Sequence, residues 1–161
     1  MVRKLKAHYL LGKTALPEEI CEEINTILRG LEPVTDKEEY LRRAYDIISS
    51  RFEGGRIKTI SRLFDLWATG VEDLWNRSGF MHCTNQNYLL TVLLIKSGLF
   101  TADDIRIRWT TIWLFSPHQY LEITVGENKT VEVDCWARHY GVPFGSYATG
   151  FNTSTHRAFV E

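Results

Sequence analysis

The run Tyr88-Leu89-Leu90-Thr91-Val92-Leu93-Leu94-Ile95 constrains this chain more than any other stretch. It is apolar on nearly every side. A helix built from it has no face to give to water, so it must run through the middle of the fold. The pattern predicts a helix over 84–96, ended by Ser97-Gly98. Its longest apolar run, Leu89 to Ile95, falls well short of the roughly 20 residues that span a bilayer. Cys83 lies where a break at Gly79 meets this helix, so it belongs in the first helical turn. Backbone N–H groups point outward there and the helix dipole is positive, which favours a thiolate. A nucleophilic cysteine needs that setting.

The residues before Gly79 read as helical. A helix over 17–28 opens on Pro17, Glu18 and Glu19, places Ile20, Ile24, Ile27 and Leu28 at helical spacing, and stops at Arg29-Gly30. A second helix over 36–52 follows the capping pattern Thr35-Asp36-Lys37-Glu38 and carries Tyr40, Leu41, Ala44, Tyr45, Ile47 and Ile48. Glu53-Gly54-Gly55 ends it. A third is predicted over 60–75, with Ile60, Leu63, Phe64, Trp67, Val71, Leu74 and Trp75 on one stripe and Gly70 as its weak point. After the central helix the period changes to two. A strand over 105–115 places Ile105, Ile107, Trp109, Thr111 and Trp113 on one face. A second strand covers 119–125, with His118 at its opening after Ser116-Pro117. A turn follows at Gly126-Glu127-Asn128-Lys129, and a third strand over 130–136 holds Asp134 near its end. The tail from Gly141 is rich in Gly, Ser and Thr and reads as irregular.

The pattern is therefore α+β: N-terminal helices and a central cysteine-bearing helix packed on a small antiparallel sheet. At 161 residues one domain is expected, with 1–78 as a helical layer, 79–140 as the core and 141–161 as the tail. A hydrophobic share of 44% excludes wholesale disorder. The 19 Lys and Arg nearly balance the 20 Asp and Glu, which leaves no electrostatic footprint for nucleic acid or an anionic membrane. Cys21, Cys83 and Cys135 lie far apart and form no CxxC, so free thiols in a reducing compartment are expected, and hence a cytoplasmic location. The start, Met-Val-Arg-Lys-Leu-Lys, is followed by a stretch too short and polar for a signal-peptide core.

Cys83, His118 and Asp134 are the candidate catalytic residues. In a hairpin of the last two strands, opposed residues have a constant index sum. A three-residue loop centred on Gly126 sets Asp134 opposite His118. A five-residue loop from Val125 to Lys129 sets it opposite Tyr120, with His118 the same-face diagonal neighbour. A four-residue loop separates them onto opposite faces unless a bulge intervenes. Cys83 would attack a carbonyl carbon, His118 would hold the thiol proton and later protonate the leaving amine, and Asp134 would orient the imidazole. The Cys83 backbone N–H is one natural oxyanion donor, and Trp75, Asn76 and Gln86 are candidates for the second.

These residues carry a resemblance. The order Cys, His, Asp, on a buried helix followed by two strands, resembles the transglutaminase-like superfamily of papain-related cysteine enzymes over about residues 35–136. Thr35-Asp36-Lys37-Glu38 with Arg43-Ala44-Tyr45-Asp46-Ile47-Ile48 is similar to the helix preceding the core in microbial members. Gly79, Cys83 and Leu89 through Gly98 look like the cysteine helix. His118-Gln119-Tyr120-Leu121-Glu122-Ile123 looks like the histidine strand, and Val131-Glu132-Val133-Asp134-Cys135-Trp136 like the aspartate strand. The spacings, 35 residues from Cys83 to His118 and 16 from His118 to Asp134, fall where the family's do. The sequence departs from the family where Phe80-Met81-His82 replace a small residue before the cysteine, and where Asn87 or Tyr88 stands in place of a following alanine.

The resemblance implies a cysteine-nucleophile hydrolase acting on a peptide, protein or amide substrate through an acyl-enzyme, with no cofactor. Hydrolysis is favoured because small microbial members are mostly peptidase-like. The alternatives are an amine-accepting acyltransferase, of transglutaminase or arylamine acetyltransferase type, and a non-catalytic binding module that keeps the fold. Metal binding by His82, Cys83, His118, Asp134, Cys135 and His139 is disfavoured, because their spacings lack the short chelate loops of structural zinc sites. Cys21 and Cys135 read as small buried hydrophobes, and His139 and His156 as loop residues.

Overall fold

The computed structural model describes residues 16–67, 70–113 and 115–150. The basic start, the side chain of Trp67, and the tail from residue 151 with His156 lie outside them. The fold is mixed α+β. Helices α1 (Glu22–Leu31), α2 (Lys37–Arg51), α3 (Arg56–Ser61) and α4 (Val71–Trp75) precede the central α5 (Cys83–Lys96). Strands β1 (Phe52–Glu53) and β2 (Gly79–Phe80) form a short parallel pair beneath the start of α5. Strands β3 (Ile105–Ile112), β4 (Ser116–Gly126) and β5 (Lys129–Val133) form an antiparallel sheet in the order β3-β4-β5. Among the described residues no helix is long and apolar enough to cross a membrane.

Helix α5 packs against α1, α2, α4 and β4, and every residue from Asn85 to Leu94 is buried. The main core lies between these helices and the inner sheet face, where Leu121, Ile123, Val131 and Val133 meet Leu89, Leu90, Leu93 and Leu94. Helix α2 is capped by Asp36, whose Oδ1 accepts the Glu39 N–H at 2.8 Å. The capping residue is thus one position beyond the expected Thr35, because the aspartate supplies the stronger acceptor for the helix dipole. Helix α1 is displaced from the expected span. It starts after Cys21 and runs through Gly30 to Leu31, since Gly30 costs a helix less than a proline does and Pro33 supplies the actual stop.

The helix expected over 60–75 is three pieces: α3, the 3-10 turn Leu63–Trp67, and α4, which begins after Gly70. Its first half does not bury the stripe that predicted it. Ile57 and Phe64 are 82% and 85% exposed, and Ile60 and Leu63 also face outward. Polar contacts to the main chain hold this segment instead. The His82 Nε2 lies 2.8 Å from the Arg62 carbonyl, and the Asn85 amide donates to the Asp65 carbonyl.

Strand β3 ends at Ile112, not at Phe115, because Trp113 takes a positive φ of 56° and reverses the chain. Its apolar face also changes side. Ile105 and Ile107 point to the core as expected, but Trp109 is exposed and Ile112, of opposite parity, is buried. The far half of β3 outruns the helices and meets a second, smaller core of Ile112, Trp136, Ala137, Val142 and Ala148. Strand β5 stops at Val133, short of the expected Trp136, and the chain turns into the 3-10 segment Trp136–Tyr140.

Candidate active site

The hairpin register follows from a turn and a bulge. Gly126 pairs with Lys129 around a two-residue turn, and the register shifts between Thr124 and Gly126. Beyond the shift, Leu121 faces Val133, so the next step sets Asp134 level with Tyr120. His118 is then the diagonal neighbour of Asp134 on the same face. Without the extra residue at Val125 the two would face opposite sides of the sheet.

His118 and Asp134 are both buried, and His118 Nε2 lies 2.7 Å from Asp134 Oδ2. Two backbone donors complete the carboxylate's surroundings. The Ala137 N–H donates to Oδ1 and the Ala148 N–H to Oδ2, each at 3.0 Å. The first of these contacts turns the chain out of β5 into Trp136–Tyr140. The Trp136 ring lies 5.0 Å from the His118 ring and shields it. Gly54, at the end of β1, permits this placement: a Cβ there would stand 2.1 Å from the Trp136 carbonyl oxygen.

Cys83 is the first residue of α5, after His82 in extended backbone, and it is partly exposed. The left-handed backbone of Gly79 turns the chain into this start. Cys83 is, with Asp134, one of the two groups that raise the pKa of His118. Asp134 takes Nε2, which leaves Nδ1 as the ring nitrogen open to a second partner. Burial opposes protonation of His118, but the charges of Asp134 and Cys83 and the hydrogen bonds to both outweigh it. The net result is a pKa pushed up to about 10. The three residues are therefore coupled electrostatically, with Cys83 partly exposed and His118 and Asp134 buried.

The other candidates fall elsewhere. The Trp75 indole N–H is bound to Glu23 at 2.8 Å, and the Gln86 amide donates to the Met81 carbonyl at 3.0 Å. Neither is presented as a second oxyanion donor. Asn76 is the exposed C-cap of α4. His82 is turned away to Arg62, and His139 is exposed. Cys135 is buried, which pushes its thiol well above the usual range, whereas Cys21 is only partly buried. Among the described residues no group of three His, Cys, Asp or Glu side chains is placed to hold a metal ion.

The Ala137 and Ala148 donors carry no sequence signal, because a backbone N–H is the same in every residue but proline. The Trp136 contact had a faint one, an aromatic two residues after Asp134. No family model, curated protein or solved structure gives a significant match to this chain.

Proposed function

We propose that the protein is a cysteine hydrolase of transglutaminase-like type, cleaving a peptide or amide bond through an acyl-enzyme. The observation that carries this reading is the buried His118–Asp134 pair, with Cys83, a partly exposed residue at a helix start, acting on the same ring. A histidine held protonated near neutral pH beside Cys83 is the proton donor that a cysteine nucleophile requires.

The steps follow from that pair. The Cys83 sulfur attacks the carbonyl carbon and a C–S bond forms. The oxygen gathers negative charge near the Cys83 N–H, which has no partner within the helix at that position. The His118 Nδ1 proton passes to the departing nitrogen, the C–N bond breaks and an amine leaves. Neutral His118 then takes a proton from water. The resulting hydroxide attacks the thioester carbon, and the acid departs as the C–S bond breaks and Cys83 returns as thiolate. Asp134 keeps the ring in place throughout and balances its charge. An amine in place of water would complete a transfer by the same route. Three free thiols fit a reducing, cytoplasmic setting.

Labelling with iodoacetamide at pH 6 tests the reading, because an ordinary thiol is only ~0.3% thiolate there. One fast-reacting thiol is expected, absent in Cys83→Ala and slowed about tenfold or more in His118→Ala. Equal, slow labelling of all three cysteines would falsify the proposal.

A further inference from the structure

The chain after Trp136–Tyr140 crosses the outer face of the sheet, where His118 and Tyr120 point. Phe144 is wedged edge-on against Tyr45, with ring centroids 5.3 Å apart, and the Arg42 guanidinium covers its face. At the other end, the Gly150 N–H donates to the Thr111 carbonyl and the Trp113 N–H to the Gly150 carbonyl. Between these anchors Tyr147 lies flat on Tyr120, with centroids 4.0 Å apart and planes 3° from parallel. The Thr149 hydroxyl meets that of Thr110 at 2.8 Å. Ala148 is fully buried between these contacts, and its N–H reaches the same Asp134 oxygen that binds His118.

We propose that Tyr147 is a positioning residue: its ring, seated on Tyr120, fixes residues 143–150 so that the Ala148 N–H holds the Asp134 carboxylate where His118 requires it. A carboxylate tied only through Oδ1 to Ala137 could pivot about its own side-chain torsion. The second tie, to Oδ2, removes that freedom and leaves one direction for the remaining lone pair. The segment also closes the face of the sheet to water, which keeps the His118–Asp134 contact in a medium of low dielectric constant. This inference rests on the reading of Cys83 and His118 as a nucleophile pair, since positioning has a purpose only if the ring must meet the sulfur.

The groups that act on His118 electrostatically are Asp134 and Cys83, so displacement of the segment has a defined consequence. Opening the face to water relieves the burial of His118 and screens both charges. Both influences fade, and the titration moves from about 10 back toward 6.5.

The test uses the whole chain with Tyr147→Ala, Tyr147→Phe and Ala148→Pro. The phenylalanine keeps the stack, whereas the proline keeps the Tyr147 side chain but removes the donor N–H and fixes the backbone at 148. His118 is titrated by NMR of the imidazole nitrogens, and Cys83 labelling by iodoacetamide is followed at pH 6. In folded Tyr147→Ala and Ala148→Pro, the His118 midpoint is expected to fall toward 6.5 and labelling to slow about tenfold. Tyr147→Phe is expected to behave as wild type. A folded Tyr147→Ala or Ala148→Pro with the wild-type midpoint overturns the positioning role. If both variants fail to fold, amide exchange in the wild type decides: protection of the Ala148 N–H supports the role, and exchange at the rate of an unpaired amide rejects it. A wild-type Cys83 that labels slowly defeats the enzyme reading instead, and is read separately from the His118 titration.

Discussion

Helix α5 and the segment from Arg56 to Trp67 both carry large apolar residues at helical spacing, yet one is the centre of the molecule and the other lies on its surface. Leu89, Leu90, Leu93 and Leu94 are enclosed by helices and sheet. Ile57, Ile60, Leu63 and Phe64 are not. The difference is in what surrounds each. Helix α5 has neighbours on every side, so any apolar residue on it finds a partner. The α3 segment touches the fold through polar groups: Arg62 and Arg77 pair with Asp65, and the Arg56 guanidinium lies over the Trp113 and Tyr140 rings. Periodicity reports that a helix has an apolar face, and the neighbours decide whether that face is covered.

This contrast can be broken by cutting equivalent side chains. Leu90→Ala is expected to cost about 3 kcal/mol in urea unfolding, because its site is closed on all sides and cannot collapse onto the gap. A loss below about 1 kcal/mol would mean that α5 is less tightly enclosed than its burial indicates.

The buried polar centre is intermediate, and its contribution depends on pH. His118 has a folded pKa of about 10, above its ordinary 6.5. The stability it gains from Asp134 is therefore fully present below pH 6.5 and is lost as pH rises through about 10. The gap in unfolding midpoint between wild type and Asp134→Asn should be widest near pH 6 and should narrow toward pH 10.5. A gap that stays constant over this range would show that His118 is not held protonated.

The smallest effect belongs to the surface. Phe64→Ser is expected to change stability by less than about 0.5 kcal/mol, since the ring is already 85% exposed. A loss comparable to that of Leu90→Ala would erase the distinction.

The legibility of the site follows the same division. Cys83 could be placed at a helix start because Gly79 and the apolar run after it fix where the helix begins. Asp134 could be paired with His118 only conditionally. The turn residues Glu127 and Asn128 predict a reversal, but the bulge at Val125 that sets its parity is not specified by the adjacent Gly126, which suits an unbulged turn as well. The exposure of Trp109 and the burial of Ile112 depart from simple alternation for a related reason. Alternation assumes one buried face per strand, whereas β3 serves two cores in succession.

By itself the sequence determined the class of the fold, the central place of α5, and the order of Cys83, His118 and Asp134 along the chain. These depend on local patterns: apolar period, glycine breaks and residue type. Only the tertiary structure decided that Asp134 receives the Ala137 and Ala148 N–H groups, that the Trp136 ring lies beside His118, and that Tyr147 stacks on Tyr120. Those contacts are made by backbone donors and by ring faces from distant parts of the chain. Their chemistry is common to many residues, so only their position in space gives them a role.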